Sequence, residues 1–333
     1  MEEVNLEQTK VESTFQLLDE MNELIQKQMD LTYIDSLTVA LEYLFTNEQP
    51  EDMHDLLKQQ LENKIKSIAI DQLENEEIRK VIQLCILKGM KNATQQQHLI
   101  TPDTVAMFVG YLVQKFIGKK EKISIFDPAC GTANLLTAVM NQLKIDIKSF
   151  GSEVDPTLIQ LALMSANLQQ TEVEFFHQDS LRPFLLEPVD MVISDLPVGY
   201  YPDDVQAAQF ELKADQGHSY SHHLFIEQSL KYVHDGGYLI FIIPNFLFES
   251  DQADKLNAFL HKHAHIVGLL QLPLTMFKSE NNAKSILVLQ KKGKDTKAPK
   301  QTLLVDLPSF KNVRATNDIL SQINEWFKTE NLE

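Results

Sequence analysis

The sequence predicts a two-part α/β protein, with an all-helical domain over residues 1–95 and an α/β domain over residues 96–333. The first part contains a single glycine, Gly89, and its apolar residues recur at helical spacing. Beyond residue 95, short β-rich runs alternate with helical stretches. That alternation implies a mainly parallel sheet with helices on both faces. A length of 333 residues agrees with two domains.

Composition and charge narrow the class of protein. The chain is 44% hydrophobic and 23% charged, as ordinary globular proteins are. Its 47 acidic and 30 basic residues give a net charge of −17, which weighs against a broad nonspecific grip on nucleic acid. This charge does not exclude a local basic groove that binds nucleic acid.

The sequence also indicates the cellular compartment. Cys85 and Cys130 make no disulfide framework, so a reducing compartment is expected. The acidic start at Met1 lacks the basic end and apolar run of a signal peptide. No apolar run approaches the roughly 18 residues of a membrane span. We therefore expect a cytoplasmic protein that does not enter a membrane.

The first part is acidic as well as helical. Residues 1–95 carry 19 acidic and 9 basic side chains. Pro50 predicts a helix break, and two further helices are predicted at about 52–66 and 73–90. The Glu-rich face is expected to be a solvated helix surface, and a partner-binding or dimerising role is the alternative.

The second part is predicted to contain seven sheet strands with helices between them. The strands are expected at 123–128, 147–153, 173–177, 190–195, 238–244, 266–272 and 284–291. The helices are expected at 133–143, 156–168, 222–234 and 251–263. Ligands of such sheets bind outside the carboxyl ends of the strands, so the residues at those ends are candidates for function.

The first strand is followed by an acid, a tight turn and a helix start. Residues 127–136 read D-P-A-C-G-T-A-N-L-L. Gly131 permits close approach of the backbone to a ligand, and the helix N-terminus offers free N–H groups to a carboxylate. The stretch matches neither G-x-G-x-x-G nor the P-loop pattern, which disfavours dinucleotide and P-loop sites.

Acids also stand at the next two strand ends. Glu153 with Val154 follows the second strand, and a carboxylate there suits the two hydroxyls of a ribose. Asp179 with Ser180 follows the third, where an acid can accept a hydrogen bond from an adenine amino group. Asp179 taken alone also fits a helix cap. Three acids at successive strand ends favour a nucleoside-containing ligand.

As a set, these residues resemble a known family. D-P-A-C-G-T at 127–132, followed by Glu153 and Asp179, is similar to class I S-adenosylmethionine-dependent methyltransferases of the N6-adenine DNA methylase group, including the modification subunits of type I restriction systems. H-L-I-T-P at 98–102 resembles the group's Thr-Pro motif. The runs at 234–245, 272–277 and 285–289 resemble its G-G…P strand and closing hairpin. The resemblance covers residues 96–293 and implies a Rossmann-like, seven-stranded methyltransferase sheet.

The resemblance implies S-adenosylmethionine as cofactor and assigns residues to it. The segment Asp127, Pro128, Ala129, Cys130, Gly131 and Thr132 would hold its methionine part, with Thr101 and Pro102 closing over it. Glu153 with Val154 would hold the ribose, Asp179 with Ser180 the adenine, and Asp195 would lie beside the cofactor. The family commonly has glycine where this chain has Ala133. Since alanine starts a helix well, cofactor binding is expected to survive with an altered affinity.

The family's catalytic motif, (N/D)-P-P-(Y/F), is altered in this chain. Residues 194–202 read S-D-L-P-V-G-Y-Y-P, so Asp195 and Pro197 match and two positions do not. The resemblance implies that the Asp195 side chain and the Leu196 carbonyl accept hydrogen bonds from the acceptor amine. Val198 cannot stack on a flipped base as an aromatic residue does. Tyr200 or Tyr201 could supply a ring, with a lid or core role as the alternative.

Two features bear on the methyl acceptor. The segment 199–221 has the length of a functional lid and carries four acidic residues against Lys213. The residues after the closing hairpin offer a basic stretch at 291–300, a strand at 302–305 and a helix at 316–328, too little for a separate base-reading domain. DNA is therefore a suspected partner with weak support from charge. His261, His263 and His265 lack accompanying ligands, so no metal site is predicted.

The sequence therefore predicts a methyltransferase that acts on an amino nitrogen, by resemblance adenine N6 in DNA. One alternative keeps the enzyme but changes the acceptor to RNA or a protein side-chain amide. The other is a cofactor-binding or interaction protein without catalysis, which Val198 and Ala133 favour. Because every strand-end acid lies beyond residue 95, we also expect a chain starting near Gln95 to bind the cofactor.

Overall fold

A computed structural model describes residues 2–49, 53–90, 100–183 and 185–332. His98 and Leu99 of the Thr-Pro motif lie outside the described residues, as does the expected domain boundary near residue 95. The first part is helical, with α1 Glu2–Met29, α2 Tyr33–Thr46, α3 Asp55–Ile65 and α4 Asn75–Met90. Helix α2 begins where the side chain of Thr32 accepts a hydrogen bond from the Asp35 N–H.

The second part alternates strands and helices. Its strands are β1 Lys122–Asp127, β2 Asp146–Glu153, β3 Val173–His177, β4 Val189–Asp195, β5 Val233–Pro244, β6 Ala264–Gln271, β7 Lys284–Lys291 and β8 Leu303–Asp306. Its helices are α5 Asp103–Ile117, α6 Asn134–Gln142, α7 Pro156–Leu168, α8 Asp204–Ala207, α9 Ser221–Lys231, α10 Ala253–His263 and α11 Val313–Glu330.

The strands form one mixed sheet in the order β3-β2-β1-β4-β5-β7-β6-β8. The first five strands in that order are parallel, β7 is antiparallel to both neighbours, and β8 is parallel to β6. The predicted methyltransferase fold is confirmed, with eight strands instead of seven. The extra strand is the one predicted near 302–305, which pairs with the edge of β6.

Helix α5 is the main element that the sequence pattern does not predict. Its buried residues recur at helical spacing, while Thr104, Met107 and Gln114 are exposed along one side. Nine of its residues are buried, because it packs into the core on one face of the sheet. This position places the N-terminus of α5, directly after Thr101 and Pro102, at the carboxyl end of the strands.

The helical part shares an apolar core with the second part. Successive residues of β4 and β5 alternate between two clusters, one on each face of the sheet. A third cluster lies within the helical part and also contains Leu161, Met164 and Leu168 of α7. Helix α7 therefore contacts the sheet through one face and the N-terminal helices through another, which fixes the helical part against the α/β part.

Candidate functional site

Asp127, at the end of β1, is a buried carboxylate beside the predicted cofactor loop. It is 1% exposed, and its Oδ1 accepts hydrogen bonds from Ser194 Oγ at 2.7 Å and from the Ala129 N–H at 3.1 Å. The pKa of Asp127 is raised to about 7, mainly by burial; the two hydrogen bonds act against this rise, and the nearby carboxylates of Glu153 and Asp195 add to it. The loop thus holds a carboxyl group that changes charge near neutral pH.

A cavity lies against this loop. Its lining consists of Ile100, Thr101, Asp127, Ala129, Cys130, Gly131, Thr132, Asn134, Leu135 and Asp195. Seven of the residues predicted to hold the cofactor therefore meet at one place. The loop also packs closely on β2, since a Cβ on Gly151 would lie 3.0 Å from the Phe175 ring and 3.1 Å from Cys130 Sγ. Glycine at 151 permits that approach.

Ala133 corrects one expectation. It does not simply start the helix, because its backbone is left-handed, with φ of 58° and ψ of 17°. An L-residue pays about 1–2 kcal/mol for this conformation, which glycine adopts freely. The alanine at this position is therefore strained, and a glycine suits its backbone better.

Glu153 links the end of β2 to the loop after β1. Its Oε2 accepts a hydrogen bond from the Gly131 N–H at 3.0 Å, and its Oε1 accepts from the N–H groups of Val154 and Asp155 at 2.9 Å each. The Val154 side chain is exposed. Asp155 caps α7 through the N–H groups of its first turn, so its role in the structure is that of a helix cap.

The end of β3 is tied to the first loop and to Tyr201. Ser180 is buried and donates to the Pro128 carbonyl at 2.6 Å. The Asp179 carboxylate accepts hydrogen bonds from the Leu181 N–H at 2.9 Å and from the Tyr201 hydroxyl. Tyr201 is buried, and burial together with Asp179 raises the pKa of its phenol. Its ring is therefore buried beside Asp179, at the predicted adenine site.

Asp195, at the end of β4, has a donor on each carboxylate oxygen. Thr101 Oγ1 donates to its Oδ2 at 3.1 Å, and Lys284 Nζ donates to its Oδ1 at 2.5 Å. Lys284 begins β7 and lies opposite Pro244 in the sheet register. Lys284 is not predicted from the sequence, because nothing in its surrounding residues marks it and only the antiparallel pairing of β7 with β5 brings it to the site.

The carbonyl of Leu196 is freed by the adjacent strand. The Leu196 N–H donates to the Ile242 carbonyl at 3.1 Å. In a regular parallel ladder the same residue then accepts from the residue two positions further along, which is Pro244. Proline has no N–H, so the described part of the chain supplies no hydrogen bond to this carbonyl. Next to it, Pro197 is exposed and Val198 is half-buried.

An aromatic column stands beside this motif. Tyr200 is 60% exposed and stacks on Tyr220, with ring centroids 4.9 Å apart and planes inclined by 15°. Tyr220 stacks on His222 at 5.1 Å. His222 and His223 are buried, and burial lowers their pKa to about 3 and about 4. Of the two predicted tyrosines, Tyr200 is the one that presents a ring to solvent.

A second cavity lies on the other side of Asp195 and has a volume of about 240 Å³. It is lined by Leu87, Ile100, Thr101, Pro102, Val105, Asp195, Ile242, Leu272, Met276, Phe277, Lys278, Asn282 and Lys284. Leu87 belongs to α4, so the helical part contributes a wall. Val198, Tyr200 and Tyr201, the predicted substrate-binding residues, do not line this cavity.

Two features are absent from the described residues. Within residues 2–49, 53–90, 100–183 and 185–332, no group of three or more His, Cys, Asp or Glu side chains is arranged to hold a metal ion. No helix within those ranges combines the length and apolar character needed to cross a bilayer.

Comparison with known proteins identifies the family. The family model described as N-6 DNA Methylase matches residues 85–331, about three quarters of the chain. The chain belongs to the N-6 DNA methylase family. A second model, described as the YtxK N-terminal helical domain, matches residues 12–90.

Two relatives and two solved structures illustrate the similarity. The chain is 48% identical over 328 residues to the uncharacterized protein YtxK of Bacillus subtilis strain 168, and the match covers 98% of this chain and 100% of YtxK. It is 22% identical over 259 residues to the type I restriction enzyme EcoEI methylase subunit of Escherichia coli, covering 72% of this chain and 52% of the subunit. The chain thus spans about half of the EcoEI subunit.

One of the structures is from Listeria monocytogenes and is assigned to the class I S-adenosylmethionine-dependent methyltransferases. It has 44% identity and a TM-score of 0.91, and the match covers 96% of this chain and 99% of the Listeria chain. A type I restriction modification subunit from Vibrio vulnificus YJ016 has 17% identity and a TM-score of 0.64, covering 87% and 66%. The second likeness shows the fold alone.

Family membership and the Listeria structure identify S-adenosylmethionine as the cofactor. The residues on the first cavity fit this molecule. Asp127 and Asp195 line the cavity; the Asp127 carboxyl group suits a cationic ligand, whereas Asp195 is already paired with Lys284. Glu153 is joined to the same loop and is a suitable acceptor for paired hydroxyls.

Proposed function

We propose that the protein transfers a methyl group from S-adenosylmethionine to an amino nitrogen, and that the acceptor is the N6 amine of adenine in DNA. The observation that carries this proposal is the pair of acceptors at the end of β4. One is the Asp195 carboxylate, which lines both cavities. The other is the Leu196 carbonyl, which Pro244 leaves free. Family membership supports the adenine acceptor.

In this proposal the strand-end residues hold the cofactor. Asp127 and the loop to Thr132 bind its methionine part under Thr101 and Pro102, Glu153 binds the ribose, and Asp179 binds the adenine. Tyr201 orients the Asp179 carboxylate through its hydroxyl. When bound, S-adenosylmethionine supplies an electrophilic methyl group on its sulfonium sulfur.

The chain's own contribution to transfer is alignment of the acceptor. Thr101 holds Oδ2 of Asp195, which leaves Oδ1 to share between Lys284 and the incoming amine. Asp195 Oδ1 and the Leu196 carbonyl accept the two N–H groups of a neutral amine and turn its lone pair toward the cofactor cavity. Such alignment lowers the barrier mainly by reducing lost entropy. The amine nitrogen forms the new bond to the methyl carbon, whose bond to sulfur breaks with its electron pair left on the sulfur, and the amine releases one proton to solvent.

The charge of segment 199–221, the predicted lid, supports a second candidate acceptor, a protein side-chain amide. The basic side chains next to the acidic residues of segment 199–221 form ion pairs with them. Arg182 pairs with Asp203 at 2.6 Å, Lys255 with Asp215 at 2.7 Å and Lys262 with Glu211 at 3.2 Å. These cations are therefore not free to neutralise phosphates. An amide offers the same planar NH₂ group as adenine without a charged backbone.

Methyl transfer by the full-length chain tests the proposal. Tritiated-methyl S-adenosylmethionine is incubated with fractionated DNA, RNA and protein. Asp195→Ala should reduce transfer by about 100–1,000-fold, since one preorganised polar partner is removed, while calorimetry shows cofactor affinity within a few-fold of wild type. Asp195→Asn should be milder, because its amide oxygen still accepts a hydrogen bond.

Asp190 provides the matched control. It lies on the same strand, but its carboxylate binds Lys120 and Ser124 away from both cavities. Asp190→Asn should therefore keep transfer activity. Equal transfer by wild type and Asp195→Ala contradicts the mechanism. Label in protein with none in DNA selects the amide acceptor, and cofactor binding without transfer to any fraction supports the non-catalytic alternative.

A further inference from the structure

We infer that Arg79, on α4 of the helical part, is a positioning residue of the methyltransferase site. It orients Asn134 and Thr101, and through Thr101 it holds Asp195. The catalytic importance of the hydrogen bond from Thr101 to Asp195 rests on the proposed function, whereas the effect of Arg79 on cofactor binding does not. On this inference, the helical part contributes a residue that the site needs.

Arg79 is a buried cation that joins three helices. Only 2% of the residue is exposed. Its Nε and one terminal nitrogen donate to the two oxygens of Glu76 at 2.8 and 2.6 Å. Its other terminal nitrogen donates to Asp103 at the start of α5 at 2.9 Å, and to Asn134 Oδ1 at the start of α6 at 2.6 Å. Both partners outside α4 border the cofactor loop or the Thr-Pro segment.

The contact with Asn134 fixes the direction of a hydrogen-bond chain. A guanidinium can only donate, so the atom of the Asn134 amide that faces it must be the oxygen. The amide nitrogen then faces the Thr101 carbonyl and donates to it at 3.0 Å. Thr101 Oγ1 in turn donates to Asp195 Oδ2 at 3.1 Å. Every link points from the helical part toward the candidate catalytic carboxylate.

Removing the Arg79 cation would break this series of hydrogen bonds at its first member. Without Arg79, the amide of Asn134 can rotate and present its oxygen to the Thr101 carbonyl, which breaks the link. Glu76 and Asp103 would also lose their shared cation. Asn134 and Thr101 both line the cofactor cavity, so the disorder would appear as weaker cofactor binding. Leu87, two turns further along α4, lines the second cavity, so the same helix contacts both sides of the site.

Lys88 supplies a matched control on the same helix. It pairs with Asp19 and Glu23 of α1 at 2.6 Å each, entirely within the helical part. It lines neither cavity. Replacing Lys88 therefore breaks ion pairs of α4 without touching Asn134 or Thr101. A purely structural role for Arg79 predicts that the two replacements act alike on the cofactor when both proteins are folded.

The experiment measures S-adenosylmethionine affinity by calorimetry on the full-length chain, together with the melting temperature. Arg79→Met should weaken affinity about tenfold, since Asn134 and Thr101 are then no longer held in place and the cofactor must order them on binding. Arg79→Lys should recover part of it, because lysine keeps the charge and loses the fork. Lys88→Met should lower the melting temperature with affinity within about twofold of wild type. Arg79→Met and Asn134→Ala should be non-additive in a double-mutant cycle.

Unchanged affinity in Arg79→Met overturns the inference, as does equal weakening in Arg79→Met and Lys88→Met. If Arg79→Met does not fold, Arg79→Lys decides: affinity equal to wild type in that variant overturns the inference, and weakened affinity supports it. Each result is independent of the acceptor. Wild-type protein that binds cofactor but methylates nothing contradicts the proposed function and leaves the affinity test of Arg79 intact.

Discussion

Replacing Asp127 with asparagine should remove a pH dependence that this carboxyl group gives to folding. Burial raises its pKa from an ordinary value of 3.8 to about 7. Folding thus disfavours the ionised form, so the group's contribution to stability is complete below about pH 4 and is lost as pH rises through 7. From these two pKa values, the loss between pH 5 and pH 8 is about 3 kcal/mol. An asparagine side chain carries no charge in that range and cannot produce this slope.

Urea unfolding at pH 5 and pH 8 measures the effect as a difference between the two free energies of unfolding. Asp127→Asn should reduce the fall in stability between these pH values by about 3 kcal/mol. Asp190→Asn is the control: Lys120 and Ser124 lower the pKa of Asp190 against the effect of burial, so this group stays ionised throughout the range. Its replacement should leave the slope unchanged. An identical slope in wild type and Asp127→Asn refutes the buried, titrating carboxyl group.

Further predictions concern single residues around the loop and the motif. Ala133→Gly should raise the free energy of unfolding by about 0.5–1 kcal/mol by relieving the left-handed strain; lower stability in urea unfolding would mean that the buried methyl group matters more. Glu153→Ala should weaken cofactor binding by about 2–3 kcal/mol by calorimetry, and unchanged affinity removes Glu153 from the site. Val198→Tyr should increase methyl transfer to adenine-containing DNA by adding a stacking ring; no gain argues against that acceptor. Lys284→Met should change the acceptor KM more than the cofactor Kd, because Lys284 shares Oδ1 of Asp195; equal changes would place Lys284 in the cofactor site.

The structure also changes one expectation about the helical part. Residue position alone suggests that a chain starting near Gln95 keeps cofactor binding. Arg79 contacts Asn134, and α7 shares a core with the N-terminal helices. We therefore predict that such a chain binds the cofactor more weakly than the full-length protein and exposes the apolar face of α7. Calorimetry on a soluble truncated chain with wild-type affinity would contradict this.

The sequence by itself determined the features that depend on neighbouring residues. Strand runs and turn residues predict the parallel part of the sheet, because alternation of β-rich and helical runs is a local pattern. The same patterns place Asp127, Glu153 and Asp195 at or next to the ends of their strands, and the structure has each as the last residue of its strand. Parallel strands bring their carboxyl ends to one edge, so the clustering of these acids follows from the fold class.

Only the tertiary structure decided which groups reach those acids from far along the chain. Lys284 meets Asp195 across 89 residues, and Arg79 meets Asn134 across 55. Local patterns carry no record of such pairs, since strand order and helix packing bring them together. The left-handed backbone of Ala133 and the contact of Tyr201 with Asp179 were likewise set by packing. Sequence determined where the strands end, and packing determined what each strand end touches.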